Sequence, residues 1–236
     1  DADADPDRPV ARGQPLENEF IREFDVLSAL KFVRYLNTRE RSMFVHGVNL
    51  SLQTPHDVTA YGCGATLLCE EVDKTSNDGV VVVVASGNDG HRVTPDVKGR
   101  AVAHYVSSSI TDPGNAEEAI TVGSTHRRDP HRYGVSYFSG RGPTGDGRRK
   151  PDLVAPGEKI PTLTPTGGQS TEMDGTSFAA PHVSGAAAML MARHPELIGR
   201  PRRIKQILMA SATDLGRTPD FQGAGLLDVL RAMQSV

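Results

Sequence analysis

The sequence predicts an α/β domain in which helices cover both faces of a mostly parallel sheet, and two observations predict it. Residues 80–84 are five consecutive valines, which is typical of a strand buried on both faces. Segments with three- and four-residue apolar spacing, typical of helices, alternate with this and other short apolar runs. Because a parallel connection has to cross the sheet, such alternation favours a parallel sheet packed between helices.

The elements follow one another through a single expected domain, residues 20–236, after an acidic, proline-rich linker or flexible end at residues 1–19. The predicted elements are a helix from residue 20 to about 36, a strand over 45–52, a helix over 63–74, strands over 80–84 and 119–122, a Gly/Pro-rich excursion over 133–156, and helices over 177–193, 204–212 and 226–233.

Composition excludes several classes of protein. Hydrophobic residues make up 37% and charged residues 23%, as in a soluble globular protein. The formal charge of −3 favours neither nucleic acid nor an anionic membrane, and no apolar run reaches the ~18 residues of a membrane helix. Cys63 and Cys69 are too few for a disulfide scaffold; they lie too far apart to bridge within one helix, whereas a loop before Thr66 would allow a bridge.

The most informative segment is residues 175–185, Gly-Thr-Ser-Phe-Ala-Ala-Pro-His-Val-Ser-Gly. Gly175 permits a tight backbone, and Ser177 falls where a helix begins, with unpaired N–H groups and a positive dipole. A serine oxygen placed there can attack a carbonyl while its own N–H stabilises the oxyanion. A buried serine at a helix N-cap would explain Gly-Thr-Ser alone, but the full segment, with its run of alanines for a closely packed helix, favours a nucleophile.

Asn88 is the second candidate. The valine strand ends in Ala-Ser-Gly-Asn-Asp-Gly, residues 85–90. An asparagine at the carboxyl end of a parallel strand points into the crevice where such sheets bind ligands, and its NH₂ can donate to an oxyanion. The alternative is a simple turn residue at a strand exit.

Together these segments resemble the subtilisin family of serine proteases (subtilases), from about residue 20 to the C-terminus. The other matching motifs, in family order, are Asn-Leu-Ser-Leu-Gln at 49–53, Ala-Ile-Thr-Val-Gly-Ser at 119–124, Ser-Gly-Arg-Gly-Pro at 139–143, Lys-Pro-Asp-Leu-Val-Ala-Pro-Gly at 150–157 and Gly-Ala-Gly-Leu-Leu-Asp at 223–228. The resemblance implies a subtilisin-like three-layer fold and a serine endopeptidase that cuts peptides or proteins.

The resemblance also assigns roles to residues. It implies that Ser177 is the nucleophile and that Asn88 is an oxyanion donor. It further implies substrate contacts for six residues: Ser51, Leu52 and Gln53 on the strand that pairs with substrate, Ser86 and Gly87 in the pocket for the side chain before the cut, and Thr176. No cofactor is expected to be required. Many subtilases bind calcium through loop oxygens; Asp89 and residues 112–115 are candidate ligands, but no metal site is assigned to them.

The family's catalytic aspartate and histidine are not found. No Asp is followed by Ser-Gly or Thr-Gly, and no His-Gly-Thr-His occurs. His46 runs straight into a predicted strand, His182 lies about 140° round the helix from Ser177, the loop histidines match no motif, and Asp152 lies in a loop that resembles a structural element. We therefore expect the N-terminal strands, the Asp and the His on an upstream segment of the same protein, and this chain alone to be inactive.

The alternative functions are a pseudoprotease that binds peptides without cutting them and a structural fragment with no site. Intact Ser177 and Asn88 argue against both. Secretion is the family default, and the sequence itself does not assign a location.

Overall fold

The computed structural model describes residues 23–39, 43–54, 63–163 and 170–236. The predicted linker, residues 1–19, lies outside them and stays a prediction. The strands are β1 (Gly47–Leu50), β2 (Val81–Ala85), β3 (His91–Pro95), β4 (Ala101–Tyr105), β5 (Ile120–His126), β6 (Leu153–Glu158), β7 (Ile160–Leu163) and β8 (Ser170–Met173). The helices are α1 (Glu23–Arg39), α2 (Leu67–Asn77), α3 (Pro130–Tyr133), α4 (Thr176–Arg193), α5 (Pro201–Ala210), α6 (Pro219–Gln222) and α7 (Val229–Gln234), with a short 3₁₀ helix at Pro195–Leu197.

Among the described residues, the main sheet has four strands in the order β1-β2-β5-β6, and every pair in it is parallel. Successive valines of β2 point to opposite faces, so one strand serves two apolar clusters. Val81 and Val83 pack in the cluster that contains α4 and α5, whereas Val82 and Val84 pack in the cluster that contains α1 and α2. The predicted α/β class is confirmed, and burial on both faces explains the uninterrupted valine run.

Helix α4 is the central helix of the domain and packs against β2, β5 and β6. Small buried side chains on one face let its backbone lie close to the sheet: Ala179, Ala180, Ala186 and Ala187. Ala188, which the sequence grouped with them, is exposed. Pro181 lies inside the helix but in its opening turns, where a missing N–H removes little hydrogen bonding.

A buried charge network joins the sheet to α5. The Asp152 carboxylate accepts hydrogen bonds from Lys150 Nζ at 2.8 Å and from the Thr121 N–H at 2.7 Å, and it lies 3.0 Å from Lys205 Nζ. Burial lowers the pKa of Lys150 to about 8, although Asp152 opposes that shift. Burial acts to raise the pKa of Asp152, but the two lysines outweigh it and hold the pKa below its usual value. Asp152 is therefore structural, as the sequence indicated.

Several predicted boundaries were wrong. The strand expected over 45–52 covers only Gly47–Leu50, so Ser51, Leu52 and Gln53 follow the strand instead of ending it. The helix expected over 63–74 begins after Thr66, whose hydroxyl accepts from the Cys69 N–H at 3.3 Å. Cys63 therefore lies in a turn, and both cysteines are free thiols.

The segment over 133–156, expected to be a Gly/Pro-rich excursion, contains the start of a core strand. Strand β6 begins at Leu153, which is fully buried. Two antiparallel hairpins, β3–β4 and β7–β8, were not predicted. Every residue of β4 is exposed, and such a strand has no inside–outside alternation to detect. Within the described residues, no helix is long and apolar enough to cross a membrane.

Candidate active site

Ser177 occupies the second residue of α4, at the carboxyl edge of the sheet. Gly175 precedes the helix with extended backbone and donates its N–H to the Gly157 carbonyl of β6 at 2.8 Å. A Cβ atom on Gly175 would lie 2.9 Å from Ser177 Oγ, so glycine leaves room beside the hydroxyl. The Ser177 side chain is half-buried, and its N–H has no hydrogen-bond partner among the described residues. Ser177 therefore offers a partly accessible hydroxyl and an unpaired N–H at the start of the helix.

Asn88 follows β2 and is held by α4. Its Oδ1 accepts two hydrogen bonds from Thr176, one from the backbone N–H at 2.9 Å and one from the hydroxyl at 3.0 Å. These two donors fix the orientation of the amide, because only Oδ1 can accept them. Asn88 Nδ2 then lies 3.7 Å from the Cβ position of Gly175, the same point that lies 2.9 Å from Ser177 Oγ. The NH₂ of Asn88 and the N–H of Ser177 are thus two donors beside one hydroxyl.

Thr176 is fully buried, and both its N–H and its hydroxyl donate to Asn88. The sequence predicted it to contact substrate, and that role stays a prediction. Its part in orienting Asn88 was not predicted. The two residues are 88 positions apart, so only the fold brings them together.

The segment after β1 is tied to α4 by side-chain hydrogen bonds. Ser51 Oγ donates to the Ser177 carbonyl at 2.8 Å and accepts from Asn49 Nδ2 at 2.8 Å. Ser184 Oγ in turn donates to Asn49 Oδ1 at 2.9 Å. Gln53 reaches the other candidate, since its Oε1 accepts from the Asn88 N–H at 3.4 Å. Sequence reasoning missed Asn49 and Ser184, although both lie inside motifs that it quoted.

The expected pocket residues lie between these elements. Ser86 is buried and its carbonyl accepts from the Thr111 N–H at 3.2 Å, while Leu52 is half-buried against the α1/α2 cluster. Gly87 has a positive φ of 93°, and a Cβ there would lie 2.3 Å from Thr111 Oγ1. Position 87 therefore requires glycine, and Thr111 packs against it.

The described residues place no base beside the nucleophile. Of the eight histidines, His56 lies outside these residues and none of the other seven hydrogen-bonds with Ser177. His182 Nδ1 instead lies 2.9 Å from the carbonyl of Phe178 on its own helix. Ser177 is therefore positioned but, within this part of the chain, not activated.

An apolar groove of about 530 Å³ opens beside β1. We call it the β1 groove; its lining includes Phe44, His46, Val81, Ser184 and Met191. It lies along one side of α4, next to the outer strand of the sheet. His46 lines this groove and directly precedes β1, as the sequence predicted.

Two of the calcium candidates, Asp112 and Asn115, have protein partners. The buried Asp112 carboxylate accepts from Thr66 Oγ1 at 2.7 Å and from Asn115 Nδ2 at 2.8 Å. In the part of the chain that the structure describes, no three His, Cys, Asp or Glu side chains are grouped to hold a metal ion. A calcium site stays an untested expectation.

Comparison with known proteins identifies the family. The sequence pattern of the Subtilase family (Peptidase_S8) matches residues 40–225. The chain belongs to the subtilase family. It is 32% identical to serine protease AprX of Bacillus subtilis over 179 residues, covering 68% of this chain and 37% of AprX. It is 29% identical to subtilisin amylosacchariticus of Bacillus subtilis subsp. amylosacchariticus, covering 88% of this chain and 49% of that protein.

Solved structures agree on the subtilase fold. The CspB protease of Clostridium perfringens superposes with a TM-score of 0.73 at 20% identity, over 91% of this chain and 72% of that one. The resemblance drawn from the sequence motifs is therefore confirmed for family and fold. The chain spans about half or less of the length of the two curated relatives above.

Proposed function

We propose that this chain is the nucleophile-bearing part of a serine endopeptidase that hydrolyses peptide bonds through an acyl-enzyme. One observation carries the proposal. Thr176 holds Asn88 Oδ1 with two hydrogen bonds, which leaves Asn88 Nδ2 and the Ser177 N–H as donors beside Ser177 Oγ. Two preoriented donors next to a hydroxyl suit the tetrahedral oxyanion of acyl transfer.

In the proposed reaction, Ser177 Oγ bonds to the carbonyl carbon of the substrate while its proton passes to a general base. Asn88 and the Ser177 N–H donate to the negative carbonyl oxygen. The C–N bond then breaks, and the amine leaves with the proton from the base. Water repeats the sequence on the ester and restores the serine.

The base and its orienting acid are proposed to come from an upstream segment of the same protein. Two observations support this: among the described histidines none contacts Ser177, and the β1 groove leaves one side of α4 open. Since β1 is the outer strand of the sheet, a further strand and its side chains have a place to pack there. This chain alone is then inactive or nearly so.

The substrates are proposed to be peptides or proteins bound in extended form. Ser51 hydrogen-bonds to Ser177, Gln53 hydrogen-bonds to Asn88, and residues 86–87 directly precede Asn88, which suits both segments to the acyl side of the substrate. Peptide binding without cleavage is the alternative. A binding module gains nothing from a free Ser177 hydroxyl and two oxyanion donors, so the observations favour the enzyme.

Hydrolysis of a fluorogenic peptide by the full-length gene product tests the proposal. We expect Ser177→Ala to abolish turnover. Asn88→Ala should lower kcat by about 10²–10³, with little change in KM; the figure comes from the equivalent deletion in a subtilisin. Asn77→Ala is the matched control, because within the described residues the Asn77 side chain hydrogen-bonds to Arg202 on the surface and to nothing at the active site. Unchanged kcat in the Asn88 variant would contradict the assigned role.

A further inference from the structure

The β3–β4 hairpin and a neighbouring loop form an exposed aromatic depression that the proposed mechanism does not use. We call it the hairpin surface: His91, Ala103, His104, Tyr105 and Tyr137, which line a cavity of about 370 Å³. The rings of His91 and Tyr137 meet edge to face at 5.4 Å between centroids. Tyr105 and Tyr137 are each more than half exposed. Exposed aromatic side chains around a depression are typical of binding surfaces.

Arg141 connects the hairpin surface to the segment that follows Asn88. Its guanidinium is buried, and it donates to the Gly90 carbonyl at 2.8 Å and to the Tyr137 carbonyl at 2.9 Å. The same group lies over the Tyr105 ring, 3.8 Å from its centroid. Gly90 is two residues after Asn88 and is packed against the Ser139 backbone, so little freedom remains between site and hairpin. The hairpin surface is thus a fixed extension of the segment that carries the oxyanion donor.

The hairpin surface lies on the opposite side of Asn88 from residues 51–53. Those residues follow β1, which borders β2 on one side. The loop with Tyr137 follows β5, which borders β2 on the other side, and the hairpin contacts this loop through Gly90 and Phe138. If the acyl side of the substrate lies along residues 51–53, the hairpin surface is then next to its leaving-group side.

We propose that the hairpin surface binds the leaving-group side of the substrate and takes an aromatic or large aliphatic side chain there. The inference rests on the proposed endopeptidase function. The ring edges of Tyr137 and His91 supply apolar contacts to such a side chain, and Ala103 leaves the space for it.

The hairpin also carries an excess of positive charge. Residues 91–105 carry three basic side chains and one acidic side chain. Arg100 pairs with Asp96, whereas Arg92 and Lys98 form no ion pair with the described residues. A carboxylate further along the leaving-group segment complements this excess of positive charge.

Paired peptide substrates test the inference on the full-length gene product. The pairs differ only in Phe or Ala at the two positions after the scissile bond, and the readout is the ratio of their kcat/KM values. We expect about tenfold preference for Phe, which Tyr137→Ala removes and Tyr137→Phe keeps. Val97→Ala, at the fully exposed hairpin tip, should keep it as well. Equal ratios in the wild type and the Tyr137→Ala variant would overturn the inference.

A binding measurement separates this inference from the proposed function. A fluorescent peptide with an N-terminal Phe, equivalent to the released product, is titrated into the Ser177→Ala protein and followed by anisotropy. We expect the Tyr137→Ala change to weaken its binding about tenfold, whether or not the wild type cleaves peptides. Binding that the Tyr137 change does not affect contradicts the hairpin surface, while absent cleavage with intact binding contradicts only the endopeptidase.

Discussion

The two sides of helix α4 differ in burial. One side packs in the core, and the other is left open for the groups that would activate the nucleophile. Toward β5 and β6 the helix is closed: Ala180, Val183 and Leu190 are fully buried in the larger apolar cluster. Toward β1 it borders the open β1 groove, and Phe44 there is 70% exposed. The packed helix, together with the hydrogen bonds of Ser51 and Gln53, positions Ser177 and Asn88. The open side is where the proposed base and acid are to be added.

The largest effect is expected on the closed side, at Asp152. Asp152→Asn leaves Lys150 and Lys205 without their shared buried carboxylate, and we expect a loss of about 3–5 kcal/mol in the free energy of unfolding. Urea unfolding at pH 7 measures it. Glu70→Gln breaks the exposed pair with Lys74 and should cost at most about 0.5 kcal/mol. Equal losses in the two variants would remove the distinction between buried and exposed pairs.

Acid unfolding is a second test of the buried Asp152 network. The pKa of Asp152 is held below its usual value in the folded state, so its carboxylate contributes stability above the unfolded pKa of about 3.9. That contribution is lost as the pH falls through the lower, folded pKa. The wild type should therefore lose more stability than Asp152→Asn between about pH 5 and pH 2. Parallel stability curves for the two proteins over that range would contradict the assignment.

Matched truncations compare the two sides directly. Leu190→Ala removes a fully buried side chain from the closed side and should cost about 2–5 kcal/mol. Met189→Ala, one residue earlier on the same helix and half exposed, should cost about 1 kcal/mol or less. Phe44→Ala, at the β1 groove, should change stability by no more than about 0.5 kcal/mol. A loss at Phe44 as large as that at Leu190 would mean that the groove is already closed in this chain.

The sequence predicted what is local and missed what the fold assembles. Ser177 and Asn88 were predicted because each lies in a contiguous motif beside a recognisable helix or strand. The hydrogen bond from Ser51 to the Ser177 carbonyl spans 126 residues, and no local pattern encodes it. The same holds for the contact of Thr176 with Asn88.

The secondary structure divides in the same way. The valine strand and α4 were predicted because both are buried and carry an unmistakable apolar pattern. The β3–β4 hairpin was missed because its strands are exposed, and β6 was missed because Pro151 before it and Pro156 within it indicated a loop. Buried regular elements leave a period in the sequence, whereas exposed ribbons and proline-flanked strands do not.

Labelling of Ser177 by a fluorophosphonate probe tests the central claim most directly. The rate is measured on the 236-residue chain and on the full-length gene product, with Ser177→Ala as the control for the site. We predict labelling of the full-length protein at Ser177 and labelling of this chain about 10³-fold more slowly or not at all. Equal rates would contradict the claim that the base comes from an upstream segment, and labelling of neither would contradict the protease itself.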